Sequence, residues 1–172
     1  FVINGKMDLG SPEALLTYNR AILKDFLGLD FDIPAGYLVP TICSRWFFIE
    51  WMDRHVGKNK KVLEVGTGPS AILALMLTRL GHDVVATELD ETAYQYACIN
   101  VKNNNLTDKI TVIKSDSSLP IIKSLFRNLD SFHAVITNPP QYDLEFVTRT
   151  SANKVRGFVG RRLELLGGEQ GH

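Results

Sequence analysis

Cysteine is scarce in this sequence. Cys43 and Cys98 are the only two in 172 residues, they form no C-x-x-C pair, and they cannot make a disulfide framework. His55, His82, His133 and His172 show no zinc-ligand spacing, so no metal centre is expected. Long apolar runs are also missing. The longest, Ala71–Leu77, falls far short of the roughly 20 residues a membrane-spanning helix needs. Asn4, Lys6 and Asp8 stand where a signal peptide would need an apolar core, so a reducing cytoplasm is the expected setting. Repeats and low-complexity segments are absent. What is left, with 45% hydrophobic and 22% charged residues, is an ordinary globular domain rather than a disordered, collagenous, coiled-coil or membrane chain.

Net charge is lacking too: 19 Lys+Arg balance 19 Asp+Glu. As a sum this argues against nucleic acid as a partner. The distribution says something different. Residues 1–147 hold 14 basic and 17 acidic residues, a net of −3, whereas Arg149, Lys154, Arg156, Arg161 and Arg162 against Glu164 and Glu169 give residues 148–172 a net of +3. An acidic body is followed by a basic segment. On composition alone that segment reads as a solvated loop; the alternative is a loop that contacts phosphates.

Local patterns predict alternating elements. Ser11-Pro12-Glu13 is a helix start, with a capping hydroxyl, a proline at the first position and an acidic first turn. Apolar spacing carries this helix to Gly28. Phe31-Asp32-Ile33-Pro34 is an extended connection. A second helix is expected over about Ser44–His55. Strands are expected at Lys60–Gly66, Asp83–Glu88, Ile110–Ile113 and His133–Thr137, and helices at Ser70–Leu80, Glu91–Asn103 and Pro120–Leu129. The alternation predicts an α/β, Rossmann-like, doubly wound and mainly parallel sheet with a helical extension in front of it. Residues 1–56 form that extension, and residues 57–172 form the Rossmann-like domain. Such sheets usually carry further strands, and a sheet ending at Thr137 would leave an apolar edge, so C-terminal strands are expected beyond His172 or missing from the chain.

Glu64-Val65-Gly66-Thr67-Gly68-Pro69-Ser70 joins the first of these strands to a helix. Its glycines let the backbone turn sharply and approach a ligand. Ala71 replaces the third glycine of the dinucleotide fingerprint, which disfavours a pyrophosphate ligand. The next strand ends in Glu88-Leu89-Asp90, about 20 residues on, where a carboxylate can accept from ribose hydroxyls. Asp90 before Glu91 reads as a helix cap, which leaves Glu88 for the ribose. Asp116 ends the third strand, where it either bonds an adenine amine or caps its turn.

Asn138-Pro139-Pro140 follows the fourth strand and faces the ligand crevice of such a sheet; a simple turn is the alternative. An exocyclic aromatic amine is a poor nucleophile with two N–H donors. The Asn138 side-chain oxygen and the Pro139 carbonyl can accept both, aiming the nitrogen lone pair.

The strand, glycine loop and acidic strand ends over Lys60–Pro140 resemble class I S-adenosylmethionine-dependent methyltransferases. Asn138-Pro139-Pro140 resembles the N-P-P-[FYW] signature of amino-methyltransferases, with Gln141 in place of the aromatic and Tyr142 next to it. Five further stretches resemble the adenine N6-methyltransferases of structured RNA, whose members act on bacterial large-subunit ribosomal RNA and eukaryotic spliceosomal small nuclear RNA. These are Ser11–Leu15, Asp30–Pro34, Leu38–Thr41, Arg45 with Ile49-Glu50-Trp51, and Gly167-Gly168-Glu169. The resemblance implies S-adenosylmethionine held by Arg45, Glu64, Gly66, Thr67, Gly68, Ser70, Glu88, Leu89, Asp116 and Asn138. Arg45 would pair with the cofactor carboxylate. The resemblance implies Asn138, Pro139, Pro140 and Tyr142 as the catalytic group, with Tyr142 in the base-stacking role. Gln141–Leu166, with its five basic residues, corresponds to the family's RNA loop. Structured RNA is the implied partner and N6-methyladenosine the implied product.

Two other readings stay open on the residues alone. N-P-P serves a protein glutamine amide equally well, and Gln141 suits a module that binds cofactor and RNA without turnover. No nucleophile elbow or phosphate loop competes.

Overall fold

A computed structural model describes residues 2–3, 5–7, 11–116 and 131–139. A short antiparallel pair, β1 (Val2–Ile3) and β2 (Lys6–Met7), stands first. Two helices follow, α1 (Pro12–Leu27) and α2 (Ile42–Val56). Then come β3 (Lys61–Val65), α3 (Ile72–Arg79), β4 (Asp83–Glu88), α4 (Glu91–Asn103), β5 (Ile110–Lys114) and β6 (Ala134–Thr137). The sheet order is β5-β4-β3-β6, with every neighbour parallel.

The start of α1 follows its sequence closely. Ser11 Oγ accepts from Ala14 N–H (3.3 Å), Pro12 is the first helical residue, and Gly28 closes the helix at φ 65°. The second helix begins two residues before the expected Ser44. Thr41 at its cap makes no side-chain capping bond, and Asn19 of α1 supplies one across the interface by accepting from Ile42 N–H (3.0 Å). That bond is tertiary, so local pattern could not reveal it. The expected helix over Pro120–Leu129 lies outside the described residues.

Helix α3 is buried on every side from Ile72 to Leu77. It packs on β4 and β5, and α2 lies across its other side. An all-apolar helix needs such a cover, and the residues before β3 provide it. Right-handed crossovers from β3 to β4 to β5 put α3 and α4 on one face. The chain then returns to the far side of β3 to form β6. Strand order therefore reverses between β3 and β6, and the C-terminal ends of two such strands are the usual ligand position in an open α/β sheet. Among the described residues β6 is an edge strand, with Val135 exposed.

The extended segment after α1 is bolted to α4 by two asparagines one turn apart. Asn104 accepts from Asp30 N–H (2.9 Å) and donates to Asp30 C=O (2.6 Å). Asn100 does the same to Asp32, at 2.9 and 2.8 Å. Each amide reads both backbone groups of one residue, as a neighbouring strand would. Arg20 of α1 holds the same segment through paired bonds to Asp30, both 2.8 Å.

Candidate active site

The loop after β3 is anchored to the end of β4. Gly66 and Thr67 N–H groups both donate to Thr87 C=O, at 3.0 and 2.9 Å. Gly66 and Gly68 sit at φ 72° and 67°, the left-handed region glycine tolerates without strain. A Cβ added to either would meet nothing within 4 Å, so the space above the loop is open.

Glu88 ends β4 beside this loop and is buried. Its Oε2 accepts from Gly68 N–H (2.7 Å), and its Oε1 accepts from Leu89 and Asp90 N–H, at 2.7 and 2.8 Å. A carboxylate offers about four acceptor positions. Three go to backbone, which fixes the side chain, and one position on Oε2 is left for a hydroxyl. Asp90 caps α4 through Ala93 N–H (2.8 Å) and accepts from the Tyr37 hydroxyl (2.6 Å), so the segment before α2 also touches this corner. Leu89 is an exposed apolar side chain next to it.

Glu64 lies one strand over and is 1% exposed. Thr67 Oγ1 donates to its Oε2 (2.9 Å). Burial pushes its carboxyl up to about 7, and the nearby Glu88 carboxylate adds to that. The Thr67 hydroxyl, an Ala74 backbone N–H and Arg45 act in the opposite sense. The Ala74 N–H belongs to the first turn of α3, whose cap residue Ala71 makes no side-chain bond, so Glu64 serves an unpaired helix start. Arg45 is half-buried and donates through Nη1 to the Thr41 carbonyl (3.2 Å) and hydroxyl (2.9 Å). Burial lowers its pKa and Glu64 raises it, but guanidinium stays charged. Among the described residues only Thr41 accepts from it, which leaves Nε and Nη2 for an external carboxylate.

The register of β6 on β3 pairs Thr137 with Val65, and Thr137 Oγ1 donates to Val65 C=O (3.0 Å). Asn138 then leaves β6 at the reversal point, and both it and Pro139 are exposed. Asp116 is exposed two residues beyond β5, on the same edge of the sheet, and Ser70 is buried at the start of α3. Bonds thus join Thr67 to Glu64, and Gly68 and Leu89 to Glu88, with Arg45 within electrostatic reach of Glu64; Gly66, Ser70 and Asn138 lie at the same C-terminal ends of the strands by their place in the chain. Pro140, Tyr142 and the basic residues Arg149, Lys154, Arg156, Arg161 and Arg162 lie outside the described residues. Tyr37 and Asn100 were not singled out from the sequence. Asn100 had a signal: it is a polar residue on the α4 stripe otherwise formed by Ala93, Ala97 and Val101.

A family model described as RNA methyltransferase matches residues 3–164. The chain belongs to this RNA methyltransferase family. Ribosomal RNA large subunit methyltransferase F of Pseudomonas savastanoi pv. phaseolicola is 31% identical in a 165-position alignment that covers 88% of this chain and 50% of that protein. The U6 small nuclear RNA (adenine-(43)-N(6))-methyltransferase of Drosophila pseudoobscura pseudoobscura is 32% identical in a 188-position gapped alignment that covers 97% of this chain and 62% of that protein. The chain therefore spans about half to three-fifths of the length of these relatives. The human METTL16 catalytic domain in complex with a MAT2A 3′UTR hairpin superposes with a TM-score of 0.82 at 28% identity, covering 98% of this chain and 61% of that one. The N-terminal domain of human METTL16 in complex with SAH gives 0.73 at 30% identity over 86% and 64%. The Rossmann-like methyltransferase fold expected from the sequence is the fold observed.

A cationic cofactor with a ribose fits the residues present. The crevice offers a fixed carboxylate with one unfilled acceptor position, an open glycine loop, a second buried carboxyl, and a guanidinium with donors to spare.

Proposed function

We propose that this chain is the catalytic region of an S-adenosylmethionine-dependent methyltransferase that modifies the N6 amine of an adenine in structured RNA. The observation that supports this reading is the β3–β6 register: Thr137 lies opposite Val65, so Asn138 leaves β6 where Gly66 leaves β3, at the strand ends where Glu88 holds the glycine loop. Bound there, the cofactor supplies an electrophilic methyl group on a sulfonium.

The chain's own residues position the reactants. Glu88 receives a ribose hydroxyl, Arg45 a carboxylate, and the Glu64 carboxylate favours positive charge in the crevice. The Asn138 side-chain oxygen and the Pro139 carbonyl accept the two amine N–H groups, so the nitrogen lone pair faces the methyl group. No strong base is required, because the proton leaves a nitrogen that has become cationic. Residues 1–56 act as a cap on cofactor and RNA, residues 57–172 as the methyltransferase domain, and the basic segment with Arg149, Lys154, Arg156, Arg161 and Arg162 as an RNA contact. The relatives' RNA adenine and ribosomal RNA substrates favour RNA over a protein amide, and a cytoplasmic site of action suits a ribosomal RNA.

The test is methyl transfer to a panel of structured RNAs, with nucleoside analysis of the product. N6-methyladenosine is expected, and Asn138→Ala should slow transfer by about 10²–10³-fold. Absence of methylated adenine on every RNA, by a protein that binds the cofactor, would overturn the reading.

A further inference from the structure

Each residue of the loop from Gly66 to Pro69 is anchored through its backbone. Gly66 and Thr67 hang from Thr87, and Gly68 hangs from Glu88. The Pro69 carbonyl is held by Asn100 Nδ2 (2.8 Å). Asn100 is 2% exposed and uses the same amide to read Asp32. One buried side chain therefore ties together α4, the segment before α2 and the glycine loop.

The anchors are not equivalent. The Gly68 anchor rests on the carboxylate that the proposed cofactor itself engages. Pro69 has no N–H to offer, so its carbonyl is its one backbone handle. Asn100 is thus a hold on the distal arm of the loop that owes nothing to the ligand.

We infer that Asn100 is a positioning residue for cofactor binding, which sets the glycine loop in its ligand-ready conformation and couples it to the docked 30–32 segment. Asn104 is the internal control. It binds the same segment with the same geometry, one turn away, and its partners there, Asp30 and the Asn100 carbonyl, lie outside the loop. The inference rests on the cofactor reading given above.

The experiment is calorimetric titration of the whole chain with S-adenosylhomocysteine, with thermal unfolding of each variant as the check on folding. Asn104→Ala should bind within about twofold of the parent, while Asn100→Ala should bind about tenfold more weakly, the scale of a modest loop misplacement. Asn100→Asp keeps the acceptor for Asp32 N–H and removes both donations, so it should weaken binding likewise. Hydrogen exchange on the unmutated protein supplies a readout without folding risk: ligand should slow the Asp32 amide more than the Asp30 amide. Equal affinity of the Asn100 variants and the parent overturns the inference, as does equal weakening by Asn104→Ala or equal slowing at both amides. Failure of the unmutated protein to bind overturns the cofactor reading itself, and this inference with it.

Discussion

Two buried carboxylates sit at opposite ends of the same sheet, and the sheet treats them in opposite ways. Glu64 lies at the C-terminal edge with a hydroxyl and a backbone N–H for company, and its carboxyl is raised to about 7, first by burial. Asp53 lies near the N-terminal edge, beside the starts of β3 and β4. Burial would raise it as well, but Lys58 and His82 overcome that and hold it below its usual value. His82 is fully buried. Its Nδ1 accepts from Lys60 N–H (3.1 Å), so its Nε2 carries the proton donated to Asp53 (3.0 Å). The Asp53 cluster is complete within the chain and closed to a ligand. At the Glu64 end two carboxyl groups, Glu64 and Glu88, face one cation, Arg45, that acts from a distance, so a further positive charge is favoured there. Both ends contain the residue types of an active site, and what separates them is whether the chain has already placed the counter-charge in contact.

Breaking the closed end should cost the most stability. Asp53→Ala leaves the Nε2–H of a fully buried imidazole without an acceptor and removes the partner of Lys58. A loss of about 3 kcal/mol is expected in urea unfolding. A loss under about 1 kcal/mol would mean that the cluster relaxes to water and is not closed.

The open end should show the opposite pH behaviour. A folded pKa raised from 4.5 to about 7 means that Glu64 favours folding in its protonated form. That contribution is complete below pH 4.5 and is lost as pH rises to about 7; ionisation there costs about 2–3 kcal/mol. Glu64→Gln should remove this decline, giving a flatter profile of Tm against pH over the window. For Asp53 the sign reverses, because a lowered pKa contributes stability above the usual value of 3.8 that is lost as pH falls below it. An unchanged profile in Glu64→Gln would erase the contrast.

A cationic ligand should bind the ionised form of Glu64 better. Affinity for S-adenosylmethionine should therefore rise several-fold between about pH 6 and pH 8 and then level off, and Glu64→Gln should flatten that rise. Smallest of all should be Arg20→Ala. The pair with Asp30 has good geometry, yet both side chains are more than a third exposed, so about 0.5 kcal/mol is expected in the same unfolding assay.

Local chemistry made much of this architecture legible. Strand β4 and helix α4 run where their patterns put them, because Asp90 supplies a cap and Asn104 ends the helix. The Ser11 start and the Gly28 stop of α1 are equally local. The start of α2 was not readable, because its capping group comes from Asn19, which lies 23 residues earlier. The β1–β2 pair was not read either, since two-residue strands carry too little alternation to register. At the candidate site, type and spacing single out Gly66, Gly68, Glu88 and Asn138, and the structure places all four at the C-terminal ends of the strands. They do not single out Tyr37 and Asn100, because a tyrosine in a loop and an asparagine in a helix acquire their roles only from the partners that folding brings to them.

The sequence by itself determined the order of elements from α1 to β5, the glycine turn and the acidic strand end, since each depends on residues near one another in the chain. Only the tertiary structure decided which carboxylate would have an ion-pair partner in contact and which would feel a cation, Arg45, only at a distance. Glu64 and Asp53 are equally acidic as letters. Lys58 and His82 converge on one of them, and burial with a hydroxyl partner isolates the other, because the sheet places their neighbours at opposite ends of its strands.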